Sequence, residues 1–528
     1  MKDLEGVSNF YPCAGSTYPL EFDCAPKCFP DIEEYVRQAG RQQVVPVYTE
    51  ISQDELTPVT VLMKLGQSDH SFILESVEGN EQIARYSFIS NDPYLIFSAS
   101  GGNVSIGTAE ARDSFPNRDF SWKKKENAEP RQELQQLLNS YTAEPSPDLP
   151  RFFGGAVGYF GFNAVGHFEE ALAGLSGQTE FADVHMVFTR SVLVFDHLKG
   201  TVKIVINTLP GAVPQQTYRR ARELIKKVLL RLKKSVNLPA VETQKHAEPI
   251  EYKSNFTREE FYRVVAQAKE YINNGDVFQV VLSQKFTLAA DFDPLVLFRC
   301  LRVVNPSPYM FYLNCGGTAL TGASPEMLVR LEGGEGSVRP IAGTRRRGKD
   351  GDEDRSLSKQ LVEDEKEQAE HLMLVDLGRN DLGRVCTFGS VVVKEFAKVE
   401  YFSHVMHLVS RVKGKVMPGV KPLDVLAAAF PAGTVSGAPK IKAVEIINRL
   451  EKGCRGPYAG LVGYISFTGQ MDTCINIRSV TLSGGKALVQ SGAGIVADSR
   501  PDSEFQETLN KARGMFEAIS MARGVKAR

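Results

Sequence analysis

The chain has one tryptophan in 528 residues and almost no net charge, 62 Lys and Arg against 63 Asp and Glu giving -1. A balance this close to zero argues against bulk electrostatic binding to nucleic acid, leaving only a local basic patch as a route. No apolar run approaches the roughly 20 residues that a membrane-spanning helix needs. Val425 to Phe430 is among the longest and stops at Pro431. The opening stretch MKDLEGVSNF has neither a basic n-region nor an apolar h-region, and Asp3 and Glu5 disfavour a transit peptide. The expectation is a cytoplasmic chain without a signal peptide. Eight cysteines are unremarkable at this length. Cys13, Cys24 and Cys28 cluster, but no second close pair completes a zinc site, and they read as reduced thiols.

What is present is a large apolar fraction, 42%, enough for several domains or one composite body. Residues 1–47 read as an N-terminal extension. Residues 48–209 are strand-rich: Phe72 to Val77, Arg85 to Ile89 and Ser191 to Phe195 are β-branched and aromatic runs bounded by turn residues. The polar stretch Ala109 to Arg131 reads as a surface loop. Residues 210–254 hold a basic amphipathic helix, about Gln215 to Lys234, and a linker with Pro239 and Pro249. The helix's Lys226, Lys227, Arg231, Lys233 and Lys234 read as a solvated face over Leu224, Leu229, Leu230 and Leu232. Residues 255–528 open with a capping box, Thr257 and Glu260, and a hydrophobic staple, Phe256 and Phe261. That helix is expected to end at Gly275, with a buried strand from Val277 to Phe286. The irregular alternation that follows indicates α+β, with large, mostly antiparallel sheets.

Two E-x-x-E segments carry the sharpest chemical signal. Glu367 and Glu370 lie in EDEKEQAEHLMLVDL, and Glu504 and Glu507 in SEFQETLNKARGM, whose helix is expected to start at Ser503 with Gln506 completing a capping box. Spacing i, i+3 puts each pair on one helical face. Exposed helices carry such pairs routinely. Brought together in a cleft, however, four carboxylates repel by about 4 kcal/mol per close pair at an effective dielectric of 20, and a hard divalent cation removes that repulsion. All-oxygen ligation points to Mg²⁺. Lys511 falls on the same face as Glu504 and Glu507, either as a helix salt bridge or as a cation for a substrate carboxylate.

Ser491-Gly492-Ala493-Gly494 is expected directly after a strand Ala487 to Gln490, where glycines would let backbone N–H groups approach an anion. A dinucleotide fingerprint is rejected there, because the next helix begins about ten residues later and no βαβ unit can be completed. Gly433 to Lys440 is not a P-loop, since it lacks the GK[ST] ending and Pro439 removes a donor. His404 and His407, three apart, are candidate general bases.

The C-terminal half resembles the chorismate-utilising enzymes. The resemblance is carried by Gly322-Ala323-Ser324-Pro325-Glu326, Pro340-Ile341-Ala342-Gly343-Thr344, Glu370-His371 through Asp376-Leu377-Gly378-Arg379-Asn380-Asp381, His404 through His407, Phe430-Pro431-Ala432-Gly433-Thr434 through Pro439-Lys440, and Gly492-Ala493-Gly494 through Glu507. Leu56-Thr57-Pro58-Val59, Ile73-Leu74-Glu75-Ser76 and Arg85-Tyr86-Ser87-Phe88 extend it to the N-terminal region. It implies a large two-sheet β-sandwich with surrounding helices, the fold of that family. Within the family, Ala342 replaces a lysine nucleophile of the aminodeoxychorismate-forming branch, and Gln279 replaces the lysine base of the water-adding branch. Both resemble the anthranilate-forming branch.

That resemblance implies chorismate and ammonia as substrates, anthranilate and pyruvate as products, and the first step of tryptophan biosynthesis. It further implies Mg²⁺ on Glu367, Glu370, Glu504 and Glu507. Glu326 would be the acid for the 4-hydroxyl, His407 the base of the second step, and Thr434 a further catalytic group. Gly343, Thr344, Tyr458, Arg478, Gly492, Ala493, Gly494 and Lys511 would bind substrate. L-Tryptophan would inhibit from a pocket of Glu75, Ser76, Pro308, Tyr309, Met310, Val462, Tyr464, Asp472 and Cys474. With no cysteine in a Gly-x-Cys-x-Gly turn, ammonia would come from a separate glutamine amidotransferase subunit, in a heterotetramer. The other readings are an aminodeoxychorismate-forming enzyme, and a non-catalytic tryptophan-sensing protein on the same fold.

Overall fold

A computed structural model describes residues 26–66, 68–76, 85–110, 115, 119–241, 250–402 and 405–525. Val77, Cys13, Cys24 and His404, singled out above, lie outside the described residues. Two twelve-stranded sheets form the body, and their pairings are antiparallel, as the α+β expectation required.

Neither sheet belongs to one half of the chain. In the first, the N-terminal strands Val45–Ser52, Thr201–Thr208, Ser191–Asp196, Tyr86–Ser90 and His70–Glu75 continue into Tyr309–Cys315, Thr318–Ser324, Ser479–Ser483, Lys486–Ile495 and Gln279–Ala289. The seam is His70–Glu75 against Tyr309–Cys315, with Leu74 opposite Phe311. In the second, Ile341–Arg346, Val405–Lys415, Glu335–Val338, Met327–Glu332, Met471–Ile475 and Leu461–Ser466 continue into Gly155–Phe160, Val184–Thr189, Pro93–Ser100, Asn103–Ala109 and Phe120–Lys125. Here the seam is Val462 opposite Tyr159. Residues 48–209 and 255–528 thus complete each other's sheets.

Strand faces explain the layering. Between the sheets Phe72, Phe88, Tyr159, Phe311, Val462 and Tyr464, from the inward sides of strands, form one buried cluster with Phe152 of the segment before Gly155–Phe160. The outer face of the first sheet is covered by the helices Pro214–Leu232, Pro294–Val304 and Pro501–Gly524, through Ile225, Val228, Phe298, Leu301, Met515 and Ile519. Burying each such side chain stabilises the fold by about 1.5–3 kcal/mol.

The helix Arg258–Asn273 starts on the expected capping box, Thr257 and Glu260 each bonding the other's backbone N–H, and Phe256 packs edge-on to Phe261. Three expectations need correction. Ala109 to Arg131 is not one loop, because Phe120–Lys125 pairs along Asn103–Ala109 as an outer strand whose polar residues face water. The C-terminal helix begins at Pro501, not Ser503, and carries no side-chain cap, proline at the first turn being pre-set for helix and having no N–H to leave unpaired. Ser491 to Gly494 is not a loop after a strand but lies inside Lys486–Ile495, paired along Gln279–Ala289.

Candidate active site

The candidate site lies where the C-terminal ends of both sheets meet two helices. Glu326 occupies the short connection between Thr318–Ser324 of the first sheet and Met327–Glu332 of the second. Its backbone is pinned by Ile475, whose N–H donates to Glu326 O at 3.0 Å, and by Ser324, whose hydroxyl donates to Ile475 O at 2.7 Å. Burial pushes its carboxyl from an ordinary 4.5 to about 8, with Thr434 and Lys511 partly offsetting the rise. It is therefore mostly protonated at neutral pH and able to give a proton. Thr434 sits in the 3-10 turn Gly433–Val435, and its Oγ1 is buried with no hydrogen-bond partner, close enough to Glu326 to restrain the rise of its pKa.

His407 comes from Val405–Lys415 and stands opposite Thr344 of Ile341–Arg346. A bulge at Gly343, with φ +68, turns that residue's carbonyl toward the imidazole, at 2.9 Å from Nδ1. A carbonyl only accepts, so Nδ1 carries the proton and Nε2 keeps its lone pair. The Thr344 hydroxyl is also 3.1 Å from Nδ1. Burial holds His407 below its ordinary 6.5, leaving it a neutral base at physiological pH.

The helices Glu365–Gly383 and Pro501–Gly524 bring their first two turns to the site, and the positive end of each favours the first-turn carboxylates Glu367 and Glu504. Glu370 is held above its usual range by burial first, then by the charges of Glu367 and Glu507. Glu504 is raised by burial and by Glu507, offset by a hydrogen bond from Ser499. The four acids are thus in one electrostatic field. Two already have cations: Arg345 reaches Glu367 at 3.0 Å and Lys511 reaches Glu507 at 2.6 Å. Among the described residues no group of three His, Cys, Asp or Glu could hold an ion by itself. Mg²⁺ fits this set in its usual manner, one or two protein carboxylates with the remaining positions filled by water and substrate oxygens. Glu370, which makes no ion pair among the described residues, could join such a set directly, and Glu507 by exchanging its contact with Lys511.

The anion cradle is built on strand register. Val281 N–H donates to Ser436 O, Ser283 N–H to Glu451 and Lys285 N–H to Asn255, all pointing away from Lys486–Ile495. Val281 faces Gly494 and Ser283 faces Gly492, so the backbone N–H and C=O of these two glycines also point away from their partner strand. On that other side Ser479–Ser483 pairs only as far as Val489, leaving an open edge. Lys511 Nζ reaches into it, donating to Gly492 O at 3.0 Å. Side chains are excluded: a Cβ on Gly494 would meet Gln279 Nε2 at 2.5 Å, and one on Gly492 would meet Leu282 O at 2.8 Å. Gln279 is buried with Oε1 unpartnered. Tyr458 is buried and Arg478 half-buried nearby, Arg478 lowered by desolvation and Tyr458 pushed up to about 12.

A cavity opens between the sheets at the seam of the two halves. All nine predicted inhibitor-site residues line it: Glu75, Ser76, Pro308, Tyr309, Met310, Val462, Tyr464, Asp472 and Cys474. Glu75 Oε2 and Ser76 Oγ are buried without partners. Sequence reading missed its arginines. Arg151 and Arg330 clamp Asp472 at 3.0 and 2.9 Å, and Tyr309 Oη donates to it at 3.0 Å. It also missed Arg345. The basic run Arg345 to Arg347 faces acids at 353, 354, 364 and 367, and that complementarity was a usable signal.

Comparison with known proteins agrees with this geometry. The family model for chorismate binding enzymes matches residues 74–517. Anthranilate synthase component 1 of Acetivibrio thermocellus is 42% identical over 498 residues, 94% of this chain and 99% of the relative. The protein of the same name from Aquifex aeolicus is 42% identical over 492 residues, covering 93% and 98%. The crystal structure of anthranilate synthase component I from Streptococcus pneumoniae superposes with a TM-score of 0.70 at 33% identity, covering 88% of this chain and 99% of that one.

Proposed function

The chain belongs to the family of chorismate binding enzymes, and from that premise we propose that it is the ammonia-using component of an anthranilate synthase. It converts chorismate and ammonia to anthranilate, pyruvate and water. The observation that carries this reading is Glu326, a buried carboxyl with a pKa of about 8 in the same site as a neutral His407. One acid and one base, separated by environment, suit a reaction that first expels a hydroxyl and then removes a ring proton. Ala342 offers no amine and Gln279 no base, so the nitrogen nucleophile comes from outside the protein.

In the first step ammonia forms a bond to ring C2, both ring double bonds shift, and the C4–O bond breaks as Glu326 gives its proton to the departing hydroxyl, which leaves as water; the new ammonium on C2 releases a proton to solvent. In the second, His407 Nε2 takes the C2 proton while the C3–O enolpyruvyl bond breaks and the ring becomes aromatic; the departing enolpyruvate takes a proton from solvent to become pyruvate. Arg478 and Tyr458 hold the enolpyruvyl carboxylate, the guanidinium by paired hydrogen bonds. The open-edge amides of Gly492 and Gly494 with Lys511 receive the second carboxylate, and Gly343, Thr344 and Ala493 line the ring. Mg²⁺ bound at Glu370 and Glu507 would polarise the ring carboxylate, with Glu367 and Glu504 acting through water.

The inter-sheet cavity suits L-tryptophan. Glu75 Oε2 and Ser76 Oγ would accept from its ammonium, and Tyr86, Phe88, Met310 and Tyr464 would enclose an indole. The strand Met471–Ile475 supports feedback: Asp472 and Cys474 line the cavity and Ile475 holds the Glu326 backbone. A glutamine amidotransferase subunit supplies ammonia in this reading, consistent with relatives named component 1. The test is incubation with chorismate and ¹⁵N-labelled ammonium, followed by mass spectrometry. Labelled anthranilate supports the proposal; para-aminodeoxychorismate or isochorismate in its place overturns it.

A further inference from the structure

The site described so far leaves unexplained a fully internal ion pair behind its wall. Arg455 and Glu451, with side chains 1% and 5% exposed, sit between the end of the helix Lys440–Leu450 and Tyr458. Nε and Nη2 of Arg455 bond Glu451 at 3.0 and 2.6 Å. Two further donors go to backbone: Nη1 to Val435 O at 2.6 Å and Nη2 to Val281 O at 2.7 Å. The guanidinium lies 4.5 Å from the centre of the Phe162 ring and 5.8 Å from that of Tyr458. Glu451 in turn accepts Ser283 N–H and Oγ–H at 2.7 and 2.8 Å, and Gln490 donates to the same hydroxyl.

Several of these contacts end on walls of the site. Val435 closes the turn that presents Thr434 to Glu326. Val281 and Ser283 are the residues opposite Gly494 and Gly492. Tyr458 is a predicted substrate contact. Two buried charges are a poor way to gain stability, because well-packed apolar residues of similar size usually serve as well or better. Their use here calls for directional bonds that an apolar pair lacks. We propose that Arg455 and Glu451 are positioning residues, a buried brace that fixes the Thr434 turn, the glycine strand and Tyr458 in one arrangement for turnover.

Because removing one charge strands the other, Arg455→Met alone is expected to lower Tm. The discriminating variant is the double Arg455→Met with Glu451→Leu in the full chain. It should recover a Tm near that of the unaltered protein while kcat for chorismate consumption stays about 100-fold low. The alkaline limb of its pH profile should also move upward, since a displaced Thr434 no longer restrains the Glu326 pKa. Arg455→Lys, which keeps the charge but not the fork, should recover little activity. A double variant that is both stable and fully active, with an unmoved pH profile, overturns the proposal. The inference rests on the proposed reaction, but chorismate consumption is read whatever the product, so a wrong product assignment is distinguishable from a failed brace.

Discussion

Replacing Glu326 by glutamine tests the acid assignment through stability and rate at once. Burial raises the Glu326 carboxyl from 4.5 to about 8, so the folded state holds a proton that the unfolded state has released. The folded protein therefore loses stability as pH rises from the unfolded value toward the folded one, the unfolded chain binding fewer protons throughout that window. Integrating between those two values, the cost of ionisable Glu326 is about 1 kcal/mol at pH 5, about 3 at pH 7 and about 4 at pH 8. A glutamine has no such titration. Urea unfolding should find Glu326→Gln gaining about 2 kcal/mol on the parent between pH 5 and pH 7. Its kcat should fall by about 100- to 10,000-fold, the usual worth of a positioned acid. Stability curves that run parallel from pH 5 to pH 8, or a variant of undiminished kcat, would refute the reasoning.

Wild-type kcat/KM should rise with pH as His407 loses its proton, below the ordinary 6.5, and fall again near 8 as Glu326 ionises; a flat profile over this range contradicts both roles. His407→Asn should slow the second step by about 100-fold or more, so that the C2-aminated intermediate, still carrying its enolpyruvyl group, accumulates and is seen by mass spectrometry. Glu370→Gln should cost on the order of 100-fold in magnesium-dependent turnover, read by titrating MgCl₂; full activity would remove the metal assignment. Ser76→Phe should fill the inter-sheet cavity, keeping kcat and weakening tryptophan inhibition at least about tenfold. Unchanged inhibition would move the effector elsewhere.

Spacing supplied a small part of the site, and the family resemblance supplied Glu326, Thr434, Tyr458, Arg478 and the inhibitor pocket. The i, i+3 carboxylates and Lys511 needed only helical periodicity, and Glu367, Glu370, Glu504 and Glu507 share one field in the fold. The Thr257 capping box was equally local. The glycine stretch misled because glycine weakens a strand by propensity, and here close approach to Gln279 and an open sheet edge override that preference. Phe120–Lys125 escaped because an outer strand with both faces largely wet shows no alternation. Arg151 bonds Tyr464 and Asp472 across 313 and 321 residues, and Arg455 bonds Val281 across 174. Such contacts depend on which strands meet at the seams, and local pattern does not encode that.

The most direct test of the central claim follows anthranilate fluorescence in a mixture of the purified chain, chorismate, ammonium salt at mildly alkaline pH and Mg²⁺, with parallel samples containing EDTA or L-tryptophan. The account predicts a signal that grows with time, disappears with EDTA and is suppressed by tryptophan. Chorismate consumed without anthranilate, or no consumption by folded protein with magnesium present, would contradict it.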